Sequence, residues 1–358
     1  MIKCFEPNLT ESDYKKVLDT LKTKVLAFGP NVAEFEQDYK KFSNKTYNIG
    51  FNSASSAALL LYRYLYKQYG PCRVYTPSLG FISPVCAAKM AGHEVIYTDV
   101  NNNLILCIDD LKSRFINDEK KSIVMPILYG GISKVDEIQD FCSKNNSILV
   151  LDSAHCINPT TEYDYAFYSF HPVKPVCMSN GGLLSTNDKE AAEYMYRGRN
   201  FGRETVGDTY DLVQFGFNLY MNNLNASLGI TQLPRAKKNV LSRKHNLAFL
   251  EENLPEDLGS FTYHDASSSY YLSTLILKPG HSSVIMRKVL RDRGVQTSFH
   301  YPFLHKTNHY KQDVKLKFLD SVEDRVINLP IHQELTKEQL SRIVDECIHY
   351  SRSRRKPQ

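Results

Sequence analysis

Short, uninterrupted apolar runs alternate with amphipathic stretches between about residues 47 and 188. Runs that are apolar on both faces are typical of strands in a parallel sheet covered by helices. They predict strands at 73–75, 94–97, 122–128, 147–151 and 165–170, and the amphipathic stretches predict helices at 57–68, 84–91 and 134–145. The alternation predicts a doubly wound α/β domain, in which ligands bind at the carboxyl ends of the strands.

The pattern changes after residue 234. A charged helical segment at 235–252 precedes a predicted strand at 270–277, a helix at 283–293 and a closing helix from Thr336 to about residue 349. Glu338 follows Thr336 by two residues, whereas a capping box prefers three. We predict a large domain over 1–234, a smaller α+β domain over 235–350, packed closely against it, and a basic tail over 351–358.

Composition places the chain among ordinary globular proteins. Of its 358 residues, 42% are hydrophobic and 23% are charged. No apolar run approaches the roughly 18 residues of a membrane-spanning helix, and the first residues lack the layout of a secretory signal. We therefore expect a cytoplasmic protein that does not associate with membranes.

The cysteines and the net charge suggest neither a metal site nor a nucleic-acid partner. The eight cysteines are scattered without a CxxC pair, so we expect free thiols, no disulfides and no metal. The net charge is +5, and removing the four basic residues of the tail leaves 5 − 4 = +1. Those four residues are Arg352, Arg354, Arg355 and Lys356. Without a basic face, nucleic-acid binding is not expected.

Lys174 and Asp152 are the residues whose surroundings suggest chemistry. Lys174 lies between two apolar runs, where burial lowers the pKa of its amine. Asp152 ends another apolar run, where its alternative role is to cap a helix or turn. A lysine can form a Schiff base with the aldehyde of pyridoxal 5′-phosphate (PLP), and a carboxylate can keep the pyridine nitrogen protonated. The pair therefore predicts a PLP site.

Around this pair the chain resembles the sugar nucleotide-dependent aminotransferase family of the DegT/StrS type, a branch of the fold-type I PLP enzymes. The resemblance covers nearly the whole chain, and its motifs come in the family's order. The matching segments are Asn52-Ser53-Ala54-Ser55-Ser56-Ala57, Pro77-Ser78-Leu79-Gly80-Phe81, Ser169-Phe170-His171-Pro172-Val173-Lys174, Gly216-Phe217-Asn218-Leu219-Tyr220-Met221, Asn225-Ala226-Ser227-Leu228-Gly229 and His300-Tyr301-Pro302. It implies a fold-type I enzyme whose large domain has a mostly parallel sheet between helices.

The resemblance also implies a set of site residues. Lys174 would hold the cofactor covalently and, with Asp152 on the ring nitrogen and His155 near the phenolic oxygen, would form the catalytic set. The other implied residues are Ala54, Ser55 and Ser169 on the phosphate, Phe81 on the ring, Asn218 on the cofactor of a neighbouring subunit, and Tyr220, His300 and Tyr301 near the substrate. Without the resemblance, the segment of Ala54 and Ser55 would be interpreted as a helix N-cap and Phe81 as a core aromatic residue. Asn218 would be interpreted as a loop asparagine, and His300 and Tyr301 as part of a turn.

Three departures from the family pattern concern the substrate side of the site. Ser179-Asn180 replaces Gly-Glu before Gly181-Gly182, Tyr220 replaces an arginine, and Gly131 replaces a glutamine. The resemblance therefore specifies the cofactor more closely than the substrate.

The implied activity is transfer of an amino group from an amino acid, L-glutamate, to a keto sugar, a nucleotide-linked keto-deoxyhexose, in amino-sugar and surface-glycan synthesis. PLP and its amino form, pyridoxamine 5′-phosphate (PMP), would alternate in a homodimer with shared active sites. The alternatives are a PLP-dependent sugar dehydratase, which has histidine in place of Lys174, an aminotransferase for a non-nucleotide keto substrate, a cysteine desulfurase using Cys177, and a catalytically inactive regulatory or binding protein. A nicotinamide dehydrogenase is disfavoured because the chain has no GxGxxG loop.

Overall fold

A mostly parallel sheet forms the centre of the larger unit in the computed structural model, which describes residues 1–355. Within these residues, seven strands pair in the order β1-β7-β6-β5-β4-β2-β3. The strands are β1 (Tyr47–Phe51), β2 (Arg73–Pro77), β3 (Glu94–Thr98), β4 (Ser122–Val124), β5 (Ile148–Asp152), β6 (Tyr165–Ser169) and β7 (Gly182–Thr186). Only β7 runs antiparallel to its neighbours, β1 and β6, so the predicted mostly parallel α/β sheet is confirmed.

Helices pack against this sheet, and the three predicted between residues 57 and 145 are confirmed within a few residues, as is the helix predicted at 235–252 in the smaller unit. The helices of this unit are α1 (Glu11–Thr23), α2 (Pro30–Ser43), α3 (Ala54–Tyr69), α4 (Ile82–Met90), α5 (Ile108–Arg114), α6 (Asp136–Lys144), α7 (Lys189–Gly198) and α8 (Asn223–Gln232). An exposed hairpin of β8 (Arg203–Val206) and β9 (Thr209–Leu212) lies between α7 and α8. Helix α3 begins earlier than predicted because the Ser53 hydroxyl accepts the Ser56 N–H at 3.1 Å and caps it.

The smaller unit is built on an antiparallel sheet, in the order β10-β11-β12. Its elements are α9 (Ala236–Asn253), β10 (Gly259–Phe261), β11 (Ser273–Leu277), α10 (Ser283–Asp292), α11 (Lys317–Val322), β12 (Val326–Leu329) and α12 (Lys337–Arg355). The amino terminus belongs to the same unit, because Ile2 pairs with Val295 and packs into its core. The boundaries near residues 234 and 350 stay a prediction.

Two predicted strands are shorter in the structure, and both differences have local causes. The strand predicted at 122–128 ends at Val124, because Pro126 cannot donate to the ladder; only an isolated bridge from Ile127 to Asp152 continues the pairing. The strand predicted at 270–277 begins at Ser273. Tyr270 has a positive φ of 47°, which turns the chain out of the strand direction.

The closing helix is longer than predicted and is capped differently. It ends at Arg355, so the first part of the predicted basic tail is helical, and residues 356–358 lie outside the described residues. Gln339, not Glu338, completes the capping box: the Thr336 N–H donates to its side chain at 3.0 Å, and its own N–H donates to the Thr336 hydroxyl at 3.3 Å. This restores the three-residue spacing that a capping box prefers.

Three further findings concern the described residues alone. No helix in residues 1–355 has the length and apolar character needed to cross a bilayer. The cysteines at positions 4, 72, 86, 107, 142, 156, 177 and 347 are free. In the same part of the chain, no group of three or more His, Cys, Asp or Glu side chains is arranged to bind a metal ion.

Candidate active site

A cavity of about 300 Å³, here called the central cavity, lies at the carboxyl ends of β5 and β6. It brings together eight of the residues singled out from the sequence: Ala54, Ser55, Phe81, Asp152, Ser169, Lys174, His300 and Tyr301. A parallel sheet collects such residues because its strands end at one edge. Larger cavities elsewhere lack this group.

Lys174 projects from the loop between β6 and β7 and is buried to 9% exposure. Its backbone N–H donates to the carbonyl of His171 at 2.8 Å, which closes a tight turn after the strand. Burial lowers the pKa of the Lys174 amine to about 7, while the negative charge of Asp152 opposes the shift and the positive charge of Arg243 adds to it. A lysine near neutrality can act both as a nucleophile and as a proton carrier.

Asp152 is the last residue of β5 and is 2% exposed. One carboxylate oxygen accepts the Ala154 N–H at 3.0 Å. Burial raises the pKa of this carboxyl to about 6, and the Ala154 hydrogen bond and Lys174 oppose the rise. No ion pair joins Asp152 to a cation among the described residues, so the carboxylate faces the cavity without a close positive partner.

His155 lies behind the cavity wall and does not line it. The Gly130 N–H donates to Nδ1 at 3.3 Å, which leaves Nε2 as the protonated nitrogen that donates to the Tyr301 hydroxyl at 2.9 Å. Burial, with the positive charge of Lys174, lowers the pKa of His155 well below its usual value, so the ring is neutral. His155 therefore contacts the lining of the cavity through Tyr301, and its catalytic role stays a prediction.

The amino terminus of α3 forms one wall of the cavity through Ser53, Ala54 and Ser55. First-turn amides have no partner within a helix, and the helix dipole favours an anion there. Gly182 of β7 makes this wall possible: a side-chain carbon on it would lie 2.1 Å from the carbonyl carbon of Ser53. Ser169, on the neighbouring strand β6, adds a hydroxyl to the same cavity.

Phe81 and His300 differ in exposure, because Phe81 is exposed and His300 is partly buried. The Phe81 side chain is 51% exposed, and its ring lies 5.6 Å from that of Tyr301. His300 donates or accepts at Nδ1 with the Ser298 hydroxyl at 3.0 Å, and burial lowers the pKa of His300 to about 3. His300 is thus a neutral polar group beside the cavity.

Asn218 and Tyr220 do not reach the central cavity of their own chain. Asn218 is exposed on the segment after the β8–β9 hairpin, where its carbonyl accepts a hydrogen bond from Asn52 at 3.2 Å. Tyr220 pairs through its backbone with Phe51, and its ring contacts Phe28 edge-on at 5.7 Å. Both residues therefore lie outside the site that this chain forms alone.

The other departures from the motif pattern have structural partners. The Asn225 side chain on α8 donates to the carbonyl of Asn180 at 2.7 Å, and its oxygen accepts from Ser179 at 2.6 Å. Gly131 has φ +99°, and a side chain on it would meet the backbone nitrogens of Tyr270 and Tyr271 at 3.0 Å. Gly131 thus lets the segment before β11 approach the cavity.

Tyr271 is the main site residue that the sequence did not indicate. It is 1% exposed, it lines the cavity, and its ring centroid lies 4.1 Å from Lys174 Nζ. Arg243 lies beneath it, 1% exposed, and donates to the Tyr271 carbonyl at 3.4 Å. An aromatic residue before a strand and an arginine in a charged helix carry no local signal of a site, because their position depends on tertiary packing.

Comparison with known families matches the chain over most of its length. The model of the DegT/DnrJ/EryC1/StrS aminotransferase family matches residues 7–347. A relative from Helicobacter pylori, named UDP-4-amino-4,6-dideoxy-N-acetyl-beta-L-altrosamine transaminase, is 27% identical over 366 residues, which cover 96% of this chain and 96% of the relative.

Solved structures share the fold. PseC of Helicobacter pylori, described as an aminotransferase involved in the biosynthesis of pseudoaminic acid, superposes with a TM-score of 0.90 at 24% identity, over 98% of this chain and 99% of that one. The PLP-form of Spr1654 from Streptococcus pneumoniae superposes with a TM-score of 0.89 at 21% identity, over 99% and 100% of the two chains.

Proposed function

The chain belongs to the DegT/DnrJ/EryC1/StrS aminotransferase family, and on this premise we propose that it transfers an amino group from L-glutamate to a nucleotide-linked keto-deoxyhexose. It is a PLP-dependent aminotransferase. The Helicobacter pylori relative, whose name specifies a UDP-linked amino sugar, supports the substrate class. The observation that carries the proposal is the meeting of Lys174 and Asp152 in one cavity of about 300 Å³.

The residues around the central cavity fit PLP. Asp152 is a buried carboxylate whose close positive partner is missing among the described residues, which suits a protonated ring nitrogen. The amides of Ala54 and Ser55 at the start of α3, with the Ser169 hydroxyl, suit the phosphate. Phe81 offers an exposed ring for stacking, and Lys174 offers an amine near neutrality.

When bound, PLP supplies an aldehyde that takes up amino groups and a ring that withdraws electrons from the reacting carbon. Asp152 would hold the ring nitrogen in its positive form. Lys174 would take up and return the substrate proton at Nζ, and its pKa near 7 suits both directions of that transfer. His155 positions Tyr301 beside the cavity through the 2.9 Å hydrogen bond.

We further propose that the active unit is a homodimer with shared sites. The segment that carries Asn218 is unusually apolar for a surface: Leu212, Phe215 and Phe217 are 62%, 87% and 64% exposed. A contiguous exposed apolar segment marks an interaction surface. A second copy of this chain is the occupant that would bring Asn218, which does not line its own cavity, to the cavity of its partner.

The visible absorption spectrum tests the activity most directly. We expect the purified protein with PLP to show the band of the lysine-bound cofactor, L-glutamate to bleach it, and a nucleotide-linked keto sugar to restore it. Lys174→Ala should abolish the band, whereas Lys112→Ala, at an exposed lysine, should leave it unchanged. A band that survives in Lys174→Ala would refute the assignment of the lysine, and a sugar phosphate that restores the band better than the nucleotide sugar would refute the acceptor.

A further inference from the structure

The ring of Tyr271 forms a wall of the cavity close to the Lys174 amine. Lys174 Nζ lies 4.1 Å from the ring centroid, within the range of a cation–π contact. The same ring packs against His155, with centroids 4.5 Å apart, and stacks at 20° on Phe5, with centroids 5.5 Å apart. The lysine therefore rests on an aromatic surface that other rings hold in place.

The backbone around Tyr271 is fixed by an unusual local conformation. Tyr271 donates its N–H to the Gly130 carbonyl at 2.8 Å, and its own carbonyl accepts from Arg243 at 3.4 Å. The preceding residue, Tyr270, has φ 47°. A Cβ atom added to Gly131 would lie 3.0 Å from the backbone nitrogens of Tyr270 and Tyr271, so the two segments are packed closely. A bulky residue in the left-handed region is costly and persists where the surrounding contacts require it. Here those contacts set the position of the Tyr271 ring.

The hydroxyl of Tyr271 does not explain its position. The oxygen is buried and has no hydrogen-bond partner in the part of the chain that the structure describes. A buried phenol with no partner loses hydration without replacing it. The part of Tyr271 that meets a functional group is therefore the face of the ring.

We propose that Tyr271 is a positioning residue for Lys174, whose ring face holds the lysine amine against the cavity wall and stabilises its protonated form. This inference rests on the proposed function, in which Lys174 carries the substrate proton. The amine would keep one direction of approach after the donor displaces it. An electron-rich ring face stabilises a cation and does not trap it in an ion pair, so the proton can be returned.

Other charged and titratable groups act on Lys174 as well. Burial lowers the pKa of its amine to about 7, and Asp152 and Arg243 act in opposite directions on it. The positive charge of Lys174 in turn lowers the pKa values of three neighbouring imidazoles, those of His155, His171 and His300. The Tyr271 ring opposes the lowering of the Lys174 pKa by burial, and it does so without carrying a charge. Its effect can therefore be separated from the effects of these charged and titratable groups.

The first experiment measures the pKa of Lys174 in the protein without cofactor. The rate of amine labelling by trinitrobenzenesulfonate would be followed against pH, with the Lys174 peptide quantified by mass spectrometry. We expect Tyr271→Leu to lower the pKa by about one unit, the size of a desolvated cation–π contact. Tyr271→Phe, which keeps the ring face and removes only the hydroxyl, should leave the pKa unchanged.

A second variant keeps the shape of the ring. Replacing Tyr271 with 3,4,5-trifluorophenylalanine weakens the negative ring face with little change in volume, so it should lower the pKa even if Tyr271→Leu fails to fold. An unchanged pKa in the fluorinated variant, or a shift in Tyr271→Phe as large as that in Tyr271→Leu, would overturn the proposal. Because the labelling requires no cofactor and no turnover, its failure is distinguishable from a failure of the glutamate-bleaching test.

Discussion

Gly182→Ala is the substitution whose effect the structure specifies most closely. The added methyl carbon would lie 2.1 Å from the carbonyl carbon of Ser53 and 2.3 Å from the nitrogen of Ala54, whereas ordinary contact begins at 3.4 Å. The deficit is 3.4 − 2.1 = 1.3 Å. Both opposing atoms are backbone, so the start of α3 has to move away from β7.

The expected consequence is weaker binding of the cofactor phosphate. Displacing the first amides of α3 by about an ångström lengthens two hydrogen bonds to an anion, each worth about 1.5 kcal/mol. Their loss amounts to about 3 kcal/mol, or a weakening of about 100-fold. Overpacking adds a loss of folding stability of about 1–3 kcal/mol.

The assay is calorimetric titration of the cofactor-free protein with PMP, which keeps the phosphate but cannot bond covalently to Lys174. Gly181→Ala is the matched control, because its methyl carbon would meet the side chain of Met178 at 2.9 Å, and that side chain can rotate. We expect PMP binding to weaken in Gly182→Ala and to change little in Gly181→Ala. Equal affinities in wild type and Gly182→Ala would refute the reasoning.

Three further predictions address charge, capping and assembly. Burial lowers the pKa of Lys174 in the folded state to about 7, whereas in the unfolded chain it is about 10. The buried amine therefore destabilises the cofactor-free fold below pH 7, and this destabilisation disappears as the pH rises toward about 10. Lys174→Met should therefore raise the unfolding midpoint at pH 6 but not at pH 10, and an equal rise at both would contradict this. Thr336→Ala should lower the free energy of unfolding in urea by about 1 kcal/mol, and Glu338→Ala by less than half of that. Phe215→Asp should yield monomers in sedimentation velocity, whereas Val284→Asp, at an apolar residue that is 56% exposed on α10, should not; a dimeric Phe215→Asp would place the interface elsewhere.

The helices and strands of both units were predictable where local pattern decides the structure. The strand at Arg73–Pro77 and the helix at Ala236–Asn253 follow from apolar runs and helical periodicity. The antiparallel insertion of β7 between β1 and β6 could not be predicted, because no local sequence signal selects the partner of a strand. Pro126 could have indicated the early end of β4, since proline interrupts a ladder.

The candidate site divides in the same way. Lys174 and Asp152 were found because their chemistry is unusual beside buried strands, and the structure brings them into one cavity. Tyr271 was missed because its place depends on a close approach between Gly131 and the segment before β11, two stretches far apart in sequence. At the start of α12, the capping role of Gln339 was not predicted, because the acidic Glu338 was considered instead, although only Gln339 has the three-residue spacing from Thr336.

The pairing of Ile2 with Val295 has a consequence for biosynthesis. The Ile2 N–H donates to the Gly294 carbonyl at 2.8 Å, and the Gln296 N–H donates to the Ile2 carbonyl at 2.9 Å. A ribosome makes Ile2 long before it makes these partners, so Ile2 stays unpaired while the seven strands of the larger sheet emerge and assemble. Completion of the smaller unit is thus a late step of folding, because it joins residues that are far apart in the order of synthesis.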